Sequence, residues 1–96
     1  MSRTERYRFR LYVVGDAPNS MRAIANLKAL CREHLAGDHD IEIIDVLLDG
    51  KRAIADRVFM TPTLVTLAPL TPRRIVGTLS QTDAVLQILG LPDGKP

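Results

Sequence analysis

A chain of 96 residues, 46% hydrophobic and 25% charged, can fill one core and seldom two, so residues 1–96 read as a single folded domain rather than a disordered segment or a tandem array. Its net charge is only +2, and ten of its thirteen basic residues are arginine, the better residue for planar pairing with carboxylates. The densest basic run, Arg3, Arg6, Arg8 and Arg10, falls short of the stripe expected of a nucleic-acid binder. The single cysteine, Cys31, can form no internal disulfide, and no apolar stretch has the length of a signal or a membrane span. The expected setting is therefore the cytoplasm, with no membrane and no nucleic acid as partner.

Residues 1–6 and 91–96 are expected to fray. Arg8 to Val14 reads as a strand, with Phe9, Leu11 and Val13 alternating against Arg8, Arg10 and Tyr12. Gly15 to Ser20 is turn chemistry, in which Asp16, Asn19 or Ser20 can cap the helix that follows. From about Asn19 to Leu35 the apolar positions Met21, Ile24, Leu27, Leu30, Cys31 and Leu35 recur at helical spacing, until Gly37 ends the run. Ile41 to Val46 is a second strand, rich in β-branched residues. Strand, helix and strand at this length make a parallel, right-handed βαβ unit.

In the second half, Asp49 can cap a short helix over Gly50 to Val58. The run Leu64 to Leu70, bounded by Pro62, Pro69 and Pro72, reads as a strand, with Arg73 to Thr78 as its hairpin partner on the sheet edge. Ser80-x-x-Asp83 resembles a capping box for a helix over Gln81 to Leu89, stopped by Gly90 and Pro92. The apolar run Ala84 to Leu89 would also suit a buried strand, and local propensity does not separate the two.

The resulting order βαβαββα, with Thr61-Pro62-Thr63 ahead of the third strand, resembles the thioredoxin fold, whose members carry a cis proline there; the resemblance implies that Pro62 is cis. A more specific likeness covers nearly the whole chain. Leu11 to Ser20 (LYVVGDAPNS), Ile44-Asp45-Val46-Leu47, Thr61-Pro62-Thr63-Leu64 and Arg73 to Ser80 (RRIVGTLS) resemble the KaiB family of bacterial clock proteins. The same blocks occur in the KaiB-like sensor domain of the histidine kinase SasA, but no kinase region accompanies them here. The resemblance implies a non-enzymatic protein that binds a KaiC-type ring ATPase and modulates its phosphorylation cycle, with KaiA-like or SasA-like proteins as further partners. The alternative is a domain of the same fold that serves another signalling protein, such as a histidine kinase.

The resemblance also implies two folds: a thioredoxin-like monomer, and a resting tetramer whose second half is rearranged. The family's run of three prolines is replaced here by Pro69-Leu70-Thr71-Pro72, and the longer acidic tail of many members is missing. The caps on the last helix favour the thioredoxin-like monomer.

Redox chemistry of the thioredoxin type needs a thiolate at the start of the first helix, where this chain has Pro18-Asn19-Ser20. Cys31 lies further along, on the apolar stripe, as a small hydrophobe. Cys31, His34 and His39 lack a fourth zinc ligand unless Asp38 or Asp40 supplies it, and His34 is equally explained by the negative end of its helix. No metal, cofactor or catalytic residue is therefore assigned. The candidate partner-binding residues are Arg22, Arg57, Arg73 and Arg74, which the resemblance sets against acidic residues of the ATPase. The simpler reading for Arg73 and Arg74 is that they guard an exposed strand edge.

Overall fold

The computed structural model describes residues 6–67 and 72–91. Seven elements follow one another: β1 (Tyr7–Val13), α1 (Pro18–His34), β2 (His39–Asp45), α2 (Gly50–Ala55), β3 (Thr63–Thr66), β4 (Arg74–Val76) and α3 (Thr82–Leu89). They form one four-stranded sheet in the order β2-β1-β3-β4, with β1 parallel to β2 and the other pairs antiparallel. The fold is the thioredoxin-like βαβαββα order. The peptide bond between Thr61 and Pro62 is cis.

Strand alternation divides the sheet into two unlike faces. Phe9, Leu11, Val13 and Leu64 join Ala23, Leu27, Leu30, Cys31 and Leu35 and, from the end of the chain, Leu79, Val85, Leu86 and Leu89 in the main core. On the other face Tyr12, Ile44, Ala53, Val58 and Val65 form a smaller cluster, which includes α2.

Several local expectations change. Within α1 the buried face runs through Ser20, Ala23, Leu27, Leu30 and Cys31, whereas Met21 is half exposed. The cap position of α1 is Ala17, with Pro18 opening the first turn and no side-chain cap bond. The expected capping groups are committed elsewhere: Ser20 Oγ accepts a 3.0 Å bond from the Val14 amide, and Asn19 Oδ1 accepts from Arg22. Asp49 and Gln81 occupy the cap positions of α2 and α3, again without a side-chain cap bond. Ser80 therefore does not complete a capping box; its Oγ lies 3.2 Å from Thr78 Oγ1.

Gly90, at φ +73, ends α3 in the left-handed conformation that glycine adopts without Cβ strain. The ambiguous stretch from Ala84 to Leu89 is helical, with Val85, Leu86 and Leu89 buried and Gln87 exposed. Two elements are shorter than expected. α2 stops at Ala55 rather than Val58, and β4 spans Arg74–Val76 rather than 73–78. β3 ends at Thr66; positions 68–70 of the expected strand, like residue 71 and the termini 1–5 and 92–96, lie outside the described residues. Arg6 is anchored, donating to both Asp40 carboxylate oxygens and to the carbonyls of Gly37 and His39.

Candidate interaction surface

The face that carries α2 is organised in rows across the sheet. One row runs Glu42, Arg10, Val65, Arg74, and the next runs Ile44, Tyr12, Thr63, Val76. α2 and the turn after it answer these rows residue by residue. Arg10 Nη1 donates to Asp56 Oδ2 at 2.8 Å, and the Tyr12 hydroxyl donates to the same carboxylate while lying 3.0 Å from the Arg52 carbonyl. Arg52 pairs through both terminal nitrogens with Glu42, one contact measuring 2.9 Å. Arg74 donates to the backbone carbonyls of Asp56 and Arg57, the latter at 3.1 Å.

Charge and burial set the titration of these groups. Burial pushes the Asp56 carboxyl upward, but the hydrogen bonds from Tyr12 and Arg10 outweigh it and hold the group below the usual carboxylate range. Burial, reinforced by the Asp56 carboxylate, pushes the Tyr12 phenol up to about 12. The hydrogen bond from Arg52 lowers Glu42, and the bond to Asp56 raises Arg10. Arg10 Nε is buried and stands 3.5 Å from Glu42 Oε1, beyond good hydrogen-bond distance.

Outside this lattice the surface turns apolar. Leu47 (70% exposed), Leu48 (86%), Ile54 (72%), Phe59 (83%) and Met60 (62%) all fall in the segment 47–60, and Val76 on the same sheet face is also exposed. Large exposed side chains concentrated in this way mark an interaction surface more often than chance exposure does. Asp45 Oδ1 braces one side of the segment by accepting from the amides of Gly15 and Leu47. Thr63 braces the other, donating to the Met60 carbonyl at 2.6 Å.

The four candidate arginines are distributed unequally. Arg57 and Arg74 come together beside the end of α2, where Arg74 is bound to backbone. Arg57 is exposed, at a left-handed φ of 56°, and its side chain makes no hydrogen bond among the described residues. Arg73 is exposed; its amide donates to Thr66 Oγ1 at 2.8 Å. Arg22 stands apart on the first turns of α1, next to half-exposed Met21, and donates to Asn19. Sequence reasoning missed Arg10, Tyr12, Glu42, Arg52 and Asp56. The one available signal was two charged residues and a tyrosine in a strand whose alternate positions all pointed to a core.

Cys31 is fully buried, and burial pushes its thiol up to about 12, far from the thiolate that a redox nucleophile requires. Among the described residues no three His, Cys, Asp or Glu side chains are grouped to hold a metal, and no helix is long and apolar enough to cross a membrane. A groove of about 520 Å³, lined in part by Lys28, Arg32, His39 and Asp40, opens at the far end of the sheet, where β2 begins.

A KaiB domain model matches residues 10–91 of the chain. The chain belongs to the KaiB family. It is 41% identical over 86 residues to the circadian clock protein KaiB3 of Synechocystis, covering 88% of this chain and 84% of that one. To the circadian clock oscillator protein KaiB of Synechococcus elongatus it is 40% identical over 95 residues, covering 99% and 93%. Among solved structures, the N-terminal domain of Synechococcus elongatus SasA superposes with a TM-score of 0.75 at 19% identity, over 94% of this chain and 89% of that one. Chloroplastic thioredoxin z superposes with a TM-score of 0.69 at 18% identity, over 88% and 79%. At such identities the two structures speak for the thioredoxin-like fold alone. Within that fold the KaiB-family chain places Pro18-Asn19-Ser20 at the start of α1 and keeps its one thiol in the core.

Proposed function

We propose that this KaiB-family chain is a clock-type regulatory protein that performs no catalysis itself. It acts by docking on a KaiC-type ring ATPase and modulating that protein's phosphorylation cycle. The observation that carries this reading is the exposed apolar side chains of segment 47–60, with Phe59 and Leu48 each more than four-fifths exposed, and Arg57 in the same segment with Arg74 bonded to its carbonyl. Exposed apolar anchors together with arginine match the composition of protein interfaces, where a few aromatic and arginine residues supply most of the affinity. Arginines at the rim select an acidic counterpart and speed the encounter. The proposed working unit is a monomer.

The test is titration of the protein onto an immobilised KaiC-type ATPase, with a SasA-type kinase and a KaiA-like protein in parallel. Phe59→Ser, at a side chain that contributes almost nothing to the core, should weaken binding by about tenfold or more, equivalent to about 1.4 kcal/mol. Raising salt should weaken it further through the arginines. Absence of binding to the ATPase, or a Phe59→Ser affinity equal to that of the unmodified protein, would overturn the reading.

A further inference from the structure

α2 has only six residues, too few to hold a helix by itself in water, and its one buried residue is Ala53. Ala53 and, just past the helix, Val58 pack on the sheet beside Ile44 and Val65, a small apolar contact to which polar bonds add direction. The contacts converge on one residue: Asp56 ends α2, its carboxylate receives Arg10 and Tyr12 from β1, and its backbone carbonyl receives Arg74 from β4. The Glu42–Arg52 pair adds a tie to β2, but it lies at the solvent edge with Glu42 half exposed, where an ion pair contributes little. Asp56 and Arg10 are each only about one-quarter exposed, so their pairing is screened much less.

Directly after Asp56 the chain takes the left-handed conformation at Arg57, which is strained for a residue that carries a side chain. Arg74 holds that turn by its carbonyl. The turn then aims Phe59 and Met60 outward, ahead of β3.

We infer that Asp56 is the positioning residue of the docking surface: its carboxylate, gripped by Arg10 and Tyr12, fixes the end of α2 and so presents Ile54, Arg57, Phe59 and Met60 as one preformed patch. Asp56 need not touch the partner. A patch held in place in the free protein binds without the ordering cost that a loose segment would pay on docking. The inference rests on the interaction reading above for the identity of the partner, while the fixing of the segment is a property of the free protein.

Asp56→Asn keeps the size of the side chain and removes its charge. In the free protein, amide hydrogen exchange over 50–58 should then speed up by about tenfold or more while α1 and α3 are unchanged, as expected for local opening. The Tyr12 phenol, followed by tyrosinate absorbance, should ionise at lower pH than in the unmodified protein. Affinity for the KaiC-type ATPase should fall by about tenfold, the size expected when a preformed surface must be reordered on binding. Arg57→Ala should lower affinity with exchange over 50–58 unchanged, which separates contact from positioning. Tyr12→Phe, which removes one of the two donors and keeps the ring, should reproduce the faster exchange if Asp56→Asn does not fold.

Unchanged exchange over 50–58 in both variants would overturn the inference. So would faster exchange with full affinity, or lost affinity with unchanged exchange, which would make Asp56 a contact residue. If the unmodified protein fails to bind the ATPase, the partner assignment falls, and the exchange and titration arms still decide whether Asp56 fixes the segment.

Discussion

On one face of the sheet, Phe9, Leu11, Val13 and Leu64 meet α1 and α3 through side chains with no polar atoms; on the other, Arg10, Tyr12 and Glu42 meet α2 largely through charge and hydrogen bonds. The two layers are built for different purposes. Apolar packing is non-directional, and it supplies most of the favourable free energy of folding. A charged lattice contributes less net stability, because each ion gives up hydration to join it, but it fixes geometry. The layer that holds the fold together is therefore the α1/α3 side. The layer that carries the exposed apolar patch is the one held by directional bonds.

Substitutions that remove matter from each side should separate the two. The largest loss is expected from Leu27→Ala or Leu86→Ala, both essentially fully buried in the main core, at about 2–5 kcal/mol by urea denaturation. An equal loss from Ile54→Ala, which is 72% exposed on α2, would erase the distinction between the faces.

Tyr12→Phe should cost about 1–3 kcal/mol, since it removes one of the two side-chain donors to the partly buried Asp56 carboxylate. The same hydroxyl gives a pH signature. Because folding raises the Tyr12 phenol from 10.0 to about 12, its contribution is intact below pH 10 and is lost as pH rises through 12. Cys31 behaves in the same sense from a lower starting point, raised by burial from 9.0 to about 12. Stability should thus fall between about pH 9 and 12, and Tyr12→Phe should remove only the phenol's share; identical alkaline profiles for the variant and the parent would contradict this.

Cys31→Ser should cost about 1–3 kcal/mol by burying a hydroxyl in the main core, and partner affinity should stay unchanged. An insulin-reduction assay on the parent should show no turnover, and turnover would sink the non-redox assignment. The smallest effects on stability belong to the exposed arginines Arg57 and Arg73. Arg57→Gly relieves a left-handed backbone, so stability should stay level or rise by up to about 1 kcal/mol while affinity drops. Arg73→Ala should leave exchange over 50–58 alone, whereas Arg74→Ala should raise it, because Arg74 donates to the Asp56 and Arg57 carbonyls just past α2.

The difference between the faces also explains what could be read from the sequence. The main core was legible because it is periodic: Phe9, Leu11 and Val13 at strand spacing, and Leu27, Leu30 and Cys31 at helical spacing, all lie in it. The two shapes open to Ala84–Leu89 were closed by tertiary packing, which buries Val85, Leu86 and Leu89 on one helical side. The polar lattice was not legible. Arg10 and Asp56 are 46 residues apart, and no local pattern announces that a strand arginine and a helix-end aspartate will meet. Tyr12, grouped with Arg8 and Arg10 as the outer side of its strand, is fully buried, because that side is covered by α2. Capping was misread for a related reason: Ser20 and Asn19 are good caps in isolation, yet their oxygens serve Val14 and Arg22. Of the candidate arginines, the KaiB-family resemblance supplied the positions, and the structure distinguishes Arg74, tied to backbone, from Arg57, whose side chain is exposed.

Hydrogen exchange of the protein, free and bound to a KaiC-type ATPase, tests the central claim most directly. Docking through the α2 side should slow exchange across 47–60, with Arg73 and Arg74 at its margin, and leave the amides of α3 as they are in the free protein. Protection confined to α3 or to the groove lined by Lys28 and Arg32, with 47–60 unchanged, would contradict it.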